Sequence, residues 1–372
     1  MKIAIMTYWG NNDNYGQLFQ LYALSSYLKS IGHQVEIIKY DHMNDTTTKR
    51  NLLDRIYTMA YSPKQLIKGI TDRFLNIVSS KKLYTDSPSS GSFISFKEKY
   101  LNWTQYYPTF SCLEKNPPQA DIYICGSDMI WAETAFHPNP FFLDFGKAKL
   151  IAYAPSFGRK KITSPYANYI KSLINKFEAV SVREDSGVKI CNSLGRLDAV
   201  CVPDPTLLLD KQDYSSLEEP YSVKYPYVFI YIIGADGQSY VPDVVSQAKL
   251  KKLDVLYRSA QGGIDDCFDK IYPSPGEWLS LIKDSSYVVT NSFHGVIFSI
   301  IYRKKFIYIP SKGKTSSSNE RIYSILSKLN ISDRIYSGRV FFDDNMLYDN
   351  DFEQRLSKFI DKGKNFLNEN LF

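Results

Sequence analysis

Apolar residues along the chain fall into short unbroken runs separated by stretches of helical spacing, and the alternation occurs twice. Residues 2–7 read as a short buried strand, followed by a polar Asn/Gly loop over 9–16. Between 17 and 31, Leu18, Leu21, Tyr22, Leu24 and Leu28 recur at helical intervals, and Gly32 is placed to stop the helix. The next apolar run covers 35–40. A helix of this length between two short strands is the crossover of a parallel sheet. The pattern predicts further strands at 121–125, 150–154, 179–182 and 199–202, with helices at 166–177 and 185–194. After a Pro-rich, charged linker over 211–226 the rhythm restarts. Strands are expected at 227–233, 254–257, 287–290 and 306–309, and helices at 242–252, 275–284, 294–302, 320–329 and 351–367. The expectation is therefore an α/β chain of two Rossmann-like domains facing a cleft, 1–210 and 211–372, with the last helix packing back on the first domain. Region 41–118 breaks the pattern. It has weak helical spacing at 52–61 and 63–78 and a Ser/Gly-rich stretch at 87–92, and reads as a variable inserted lid.

Composition narrows the classes. With 372 residues, 44% hydrophobic and 23% charged, the chain can bury two ordinary cores. A formal net charge of +6 is too small an excess for nucleic-acid binding. It suits an anionic small ligand, or peripheral contact with an anionic lipid surface. Nowhere do 18 or so apolar residues run together, which argues against a membrane span. Residues 1–6 lack the features of a secretory leader, so a cytoplasmic protein is expected, working at the inner face of the membrane if its substrate lies there. The five cysteines and four histidines show no ligand spacing; no metal is expected.

Five constellations carry candidate chemistry. At 288–298 a buried strand ends at Thr290, a polar turn holds Asn291 and Ser292, and an apolar helix begins near His294 and Gly295. Free N–H groups and the positive helix end favour an anion there, with His294 in reach to pass a proton. The plainer reading is that Ser292 caps the helix and His294 is an ordinary loop histidine. Arg183, at the end of the strand 179–182, has the fork geometry for phosphate or carboxylate, unless it merely pairs with Glu184 or another acid. The loop Asn14-Tyr15-Gly16-Gln17 offers amides for sugar hydroxyls, or simply turn chemistry and a cap. Ser127 and Asp128 follow another strand, with Asp128 as a base toward a hydroxyl or as a cap. Lys314 and Arg321 flank a Ser-rich loop that closes over an anion or stays solvated.

Together these runs resemble the polysaccharide pyruvyl transferase family. The likeness includes Asn14-Tyr15-Gly16, Ile124-Cys125-Gly126-Ser127-Asp128 with Trp131, and Phe142-Leu143-Asp144-Phe145. It continues through Ala152-Tyr153-Ala154-Pro155-Ser156-Phe157-Gly158, Ser181-Val182-Arg183-Glu184, Asp204-Pro205-Thr206-Leu207-Leu208 and Ser292-Phe293-His294-Gly295. Met129 stands where relatives often carry Gln, and Asn291 where many carry Asp. The resemblance implies a fold similar to two-domain glycosyltransferases of the B type. It implies phosphoenolpyruvate as donor substrate, no cofactor, and a pyruvyl ketal formed across two hydroxyls of a sugar in a polysaccharide or lipid-linked precursor. On that reading His294, Arg183 and Asp128 are catalytic. Ser292, Asn291, Gly295, Arg321 and Lys314 join His294 and Arg183 around the donor, while Asn14, Tyr15, Gly16, Gln17 and Ser127 join Asp128 around the acceptor. The rivals are a nucleotide-sugar glycosyltransferase of the same architecture and a non-catalytic sugar-binding protein of a polysaccharide assembly system.

Overall fold

The computed structural model describes residues 1–43, 45, 88–133, 138–223, 226–260, 266–338, 342 and 348–372; the side chains of 235, 236, 314 and 315 are outside that description. Among the described residues no helix is long and apolar enough to cross a membrane.

The chain forms an α/β fold with two parallel sheets. In the first half, strands β1 (Lys2–Met6), β2 (Gln34–Tyr40), β3 (Trp103–Tyr107), β4 (Ile122–Cys125), β5 (Lys149–Ala152), β6 (Ala179–Val182) and β7 (Val200–Cys201) lie in the order β3-β2-β1-β4-β5-β6-β7. In the second, β8 (Tyr227–Ile233), β9 (Asp254–Ala260), β10 (Tyr287–Thr290) and β11 (Lys305–Tyr308) lie in the order β11-β10-β8-β9. Strand order reverses between β1 and β4 and again between β8 and β10. Such switch points open a crevice at the carboxyl ends of the strands, and doubly wound sheets bind ligands there. The central strands β4 and β10 are buried at every position, as strands covered by helices on both faces must be.

Helix α1 (Tyr15–Ser30) follows β1 and is buried around most of its circumference because it lies between the halves. Tyr15 stacks on Trp278 at 5.0 Å, and Phe19 meets Phe298 at 5.2 Å. These rings belong to one apolar cluster that also takes in Ile3, Leu24, Tyr231 and Val296, so the two sheets share a core. An aromatic seam thus joins the two halves on this side.

Helix α2 (Ser90–Tyr100) and strand β3 correct the reading of 41–118 as one inserted lid. Its far end is built into the first sheet as the edge, with β3 pairing beside β2. The polar sequence Trp-Thr-Gln-Tyr-Tyr hid the strand, since one side of an edge strand needs no apolar cover. The expected helices at 52–61 and 63–78 lie outside the described residues. The linker contains a helical turn, α3 (Lys211–Ser215), capped by Asp210, and its Tyr214 is fully buried in the shared core. The last helix, α4 (Asn350–Leu371), lays Gly363 against Tyr153 and Pro203 of the first half.

Candidate active site

The loops after β1, β4, β6, β7 and β10 converge where the two sheets meet. The turn after β10 is held by its own side chains. Thr290 Oγ1 donates to Tyr231 O (2.6 Å) and accepts from Ser292 N (3.0 Å). The Asn291 amide clasps Ile233 at both ends, accepting from its N–H (2.7 Å) and donating to its carbonyl (2.8 Å). Ser292 Oγ accepts from Gly295 N (3.2 Å) and so caps α5 (Phe293–Ile301). A Cβ on Gly295 would stand 2.5 Å from Thr290 Oγ1. Asn291, Ser292 and Gly295 thus build the turn.

What the turn presents is His294. It is 6% exposed, and its Nε2 lies 3.5 Å from Asp204 Oδ2 with no hydrogen bond. Its other edge abuts Gly16. A Cβ there would fall 2.1 Å from Nδ1, 2.6 Å from Cγ and 3.0 Å from Cβ of the imidazole. Because the ring's root is involved as well as its tip, rotation does not clear the overlap. Gly→Ala in a helix ordinarily gains about 0.5–1 kcal/mol; Gly16→Ala is expected instead to cost about 1–3 kcal/mol as overpacking. A lower Tm than wild type checks this, and a higher one would show that the imidazole moves freely.

Arg183 ends β6 with a side chain 1% exposed. Its Nη1 donates to Asp204 Oδ2 (2.6 Å), while Nη2 stands 3.8 Å from Asp128 Oδ1. Nε and Nη2 are buried without hydrogen-bond partners. The guanidinium lies 4.4 Å over the Phe293 ring, and that of Arg321, in the first turn of α6 (Glu320–Lys328), lies 5.4 Å from the same ring. Two like charges thus flank one aromatic face. Burial, and then the Arg183 charge beside it, pushes Arg321 down to about 10, so it stays cationic at neutral pH.

Asp204 is the residue that sequence reading left out of the site. It is fully buried, and Oδ1 accepts from Thr206 N (3.0 Å) and Oγ1 (2.7 Å). Burial by itself raises its carboxyl. His294 beside it, then Arg183 and the Thr206 amide, outweigh burial and hold it well below the usual carboxylate range. Its signal was the Asp-Pro-Thr run directly after a strand, at the same sheet edge as Arg183. Glu184, expected to compete for Arg183, turns away instead: Oε1 accepts from Ser156 Oγ and Phe157 N, both at 3.0 Å. Burial raises its carboxyl against the pull of Arg183 and Arg321.

Asp128 faces the cluster from β4's loop with its side chain 14% exposed, and its Oδ1 accepts from Met129 N (2.8 Å). Ser127, its neighbour, is fully buried, its hydroxyl between Ala154 O (2.9 Å) and Asp204 Oδ2 (3.2 Å). Asn14 Oδ1 caps α1 through Gln17 N (2.9 Å), and Gln17 Oε1 accepts from Asn11 N (3.0 Å). Tyr15 donates to Pro273 O (2.7 Å) from within the aromatic seam. Ser127, Asn14, Tyr15, Gly16 and Gln17 thus each have a structural duty. The side chain of Lys314 lies outside the described residues. Surface hollows of about 570 and 580 Å3 lie elsewhere, near Arg303 and beneath α4.

Among solved structures the chain is similar to an uncharacterized protein of Klebsiella pneumoniae, at 16% identity over 69% of this chain and 89% of that one, TM-score 0.36. It is also similar to UDP-GlcNAc 2-epimerase of Neisseria meningitidis, at 9% identity over 100% and 94%, TM-score 0.42. A third likeness is to the heptosyltransferase WaaC of E. coli, at 7% identity over 88% and 99%, TM-score 0.37. At such scores these add nothing to the sheet order described above. No curated protein matches the sequence. The model of one family, polysaccharide pyruvyl transferase, matches residues 14–313, a span that holds His294, Arg183, Asp204 and Asp128. The chain belongs to the polysaccharide pyruvyl transferase family.

Proposed function

We propose that the protein transfers pyruvate from phosphoenolpyruvate to two hydroxyls of one sugar, in a polysaccharide or lipid-linked precursor, forming a pyruvyl ketal. One observation carries this reading. Three nitrogens around the buried Asp204, Arg183 Nε and Nη2 and His294 Nε2, are buried without hydrogen bonds, and a second guanidinium, that of Arg321, shares the Phe293 ring with Arg183. Leaving such groups unmatched is costly, and an anionic ligand relieves the cost. A donor with both a phosphate and a carboxylate matches two guanidinium forks.

In this mechanism Arg183 and Arg321 hold the donor's anionic groups. His294 gives a proton to the methylene carbon, which becomes a methyl group and leaves C2 electron-poor. A sugar hydroxyl attacks C2 and its proton passes to Asp128, the most exposed acid of the cluster. The C2–O bond to phosphate breaks and phosphate leaves. The second hydroxyl then closes the ketal and its proton goes to the departing phosphate. Each of the two hydroxyl protons is thus accounted for, one replacing the proton spent on carbon.

Calorimetric titration with phosphoenolpyruvate is expected to show one binding site, in competition with inorganic phosphate. Arg183→Met should weaken it about 10- to 100-fold, the worth of a charge-assisted hydrogen bond. Absence of phosphoenolpyruvate binding, with a nucleotide sugar bound in its place, would overturn the proposal. Mass analysis of the product distinguishes the two chemistries, since a pyruvyl ketal and a hexose differ in mass.

A further inference from the structure

The donor site joins two arginines that repel each other, one from each sheet's half. Arg183 is held by Asp204 and faces Asp128. Arg321 has far less support within the site; among the described residues its guanidinium makes one hydrogen bond, Nε to Ser318 O at 3.3 Å. Ile322, Ile325 and Leu326 anchor α6 in the shared core, and ion pairs hold its outer edge against the first half.

The ion pairs that do so lie on the rim. Asp185 follows Arg183 by two positions, at the start of helix α7 (Asp185–Ser193). It pairs with Lys328 and accepts from Ser324 Oγ at 3.0 Å. Arg321, Ser324 and Lys328 are spaced i, i+3, i+7 along α6, so one helix face carries both the site arginine and the groups that grip Asp185. At the other end of that helix Glu320, adjacent to Arg321, has Oε1 at 3.0 Å from Lys160 Nζ, on the loop after β5. The side chains of Asp185 and Lys160 are 55% and 73% exposed, so these groups stand outside the buried cluster.

We propose that the Asp185–Lys328 and Lys160–Glu320 pairs form an electrostatic clasp that fixes the spacing of Arg183 and Arg321 and so sets affinity for a phosphate-bearing ligand. Asp185 and Lys328 are positioning residues in this scheme. The assignment of that ligand as phosphoenolpyruvate rests on the reading given above; the clasp itself does not. Partial burial works against the Asp185 carboxylate, yet the bond and charge of Lys328 hold it below its usual range, consistent with an ion pair that persists at neutral pH. The wet side of the seam, where these pairs lie, is opposite in character to the dry aromatic side at Tyr15 and Trp278.

The test is a charge-swap cycle on the full chain, titrated separately with inorganic phosphate and with phosphoenolpyruvate. Asp185→Lys and Lys328→Glu alone should each weaken both ligands about 5- to 20-fold, reversal turning a surface pair's attraction into comparable repulsion. The double swap should return affinity to within about threefold of wild type, the coupling expected of residues in contact. Turnover at saturating donor should change little, because neither residue touches the reacting atoms. Lys160→Glu with Glu320→Lys provides a second, independent cycle if a single variant of the first fails to fold. Singles that bind as wild type does, or a double swap no better than the singles, would overturn the clasp. Phosphate binding that follows the cycle while phosphoenolpyruvate does not bind would sink the donor assignment and leave the clasp standing.

Discussion

Exchanging His294 for glutamine is expected to lower pyruvyl transfer by about 100- to 10,000-fold, the usual worth of a positioned general acid. The argument rests on where the imidazole is held. The N-cap of Ser292 fixes the start of α5, Gly16 leaves no room for a side chain on one edge of the ring, and Asp204 faces the other. Nε2, like Nε and Nη2 of Arg183, is thereby buried without a hydrogen bond, and both residues adjoin Asp204. Glutamine nearly fills the imidazole's volume and keeps Gly16 and Phe293 packed, but it carries no transferable proton. The loss should accordingly fall on kcat at saturating donor, with phosphoenolpyruvate affinity and Tm close to wild type. A variant that folds, binds donor and still transfers pyruvate at near the wild-type rate would remove His294 from the acid's role. Glu184 would then be the next candidate, since burial favours the protonated form of its carboxyl.

The parts of this molecule that could be read from sequence are those set by near neighbours along the chain. Strands β8 and β10 announce themselves as unbroken apolar runs because helices cover both their faces. The Ser292 cap is a three-residue relationship, and so is the cap from Asn14 to Gln17. Arg183 could be placed at a sheet edge by counting from the strand that precedes it. What could not be read depends on pairs far apart in sequence. Whether Arg183 met Glu184 or Asp204 was decided by the path of the chain between β6 and β7. The Asn14–Gln17 loop was legible as polar, yet its fate as part of a seam depended on Trp278 and Pro273 arriving from the other half. Asn291 shows the same limit: a free amide and one spent on Ile233 look alike in sequence. Strand β3 was missed for a different reason, since its partly exposed edge position removes the unbroken apolar run by which β8 and β10 are recognised.

Removing the Asp204 carboxylate should have the largest effect on stability, and its pH dependence identifies the cause. Asp204→Ala leaves the Arg183 guanidinium buried without its bonded partner and is expected to cost about 3–5 kcal/mol. It also strips the acceptor from Thr206 N and Oγ1 at the turn that follows. Asp204→Asn keeps that acceptor and the side-chain volume, so its smaller deficit reports the charge alone. The charge contribution has a definite sign. The folded carboxyl is held well below its unfolded value, so ionisation favours the folded state above the unfolded pKa of about 3.9. That stabilisation is complete near neutral pH and drains away as pH falls below this value, because the unfolded chain then binds the proton and the folded one does not. Urea unfolding of wild type and Asp204→Asn should therefore differ most at pH 6–7 and converge on acidification. Glu184 runs the other way, its raised carboxyl favouring the folded state in acid. It is present in both proteins and cancels in their difference. A gap between the two that stays constant from pH 7 to about pH 3 would mean that Asp204 acts through shape rather than charge, and that Arg183 is kept in place by packing on Phe293 alone.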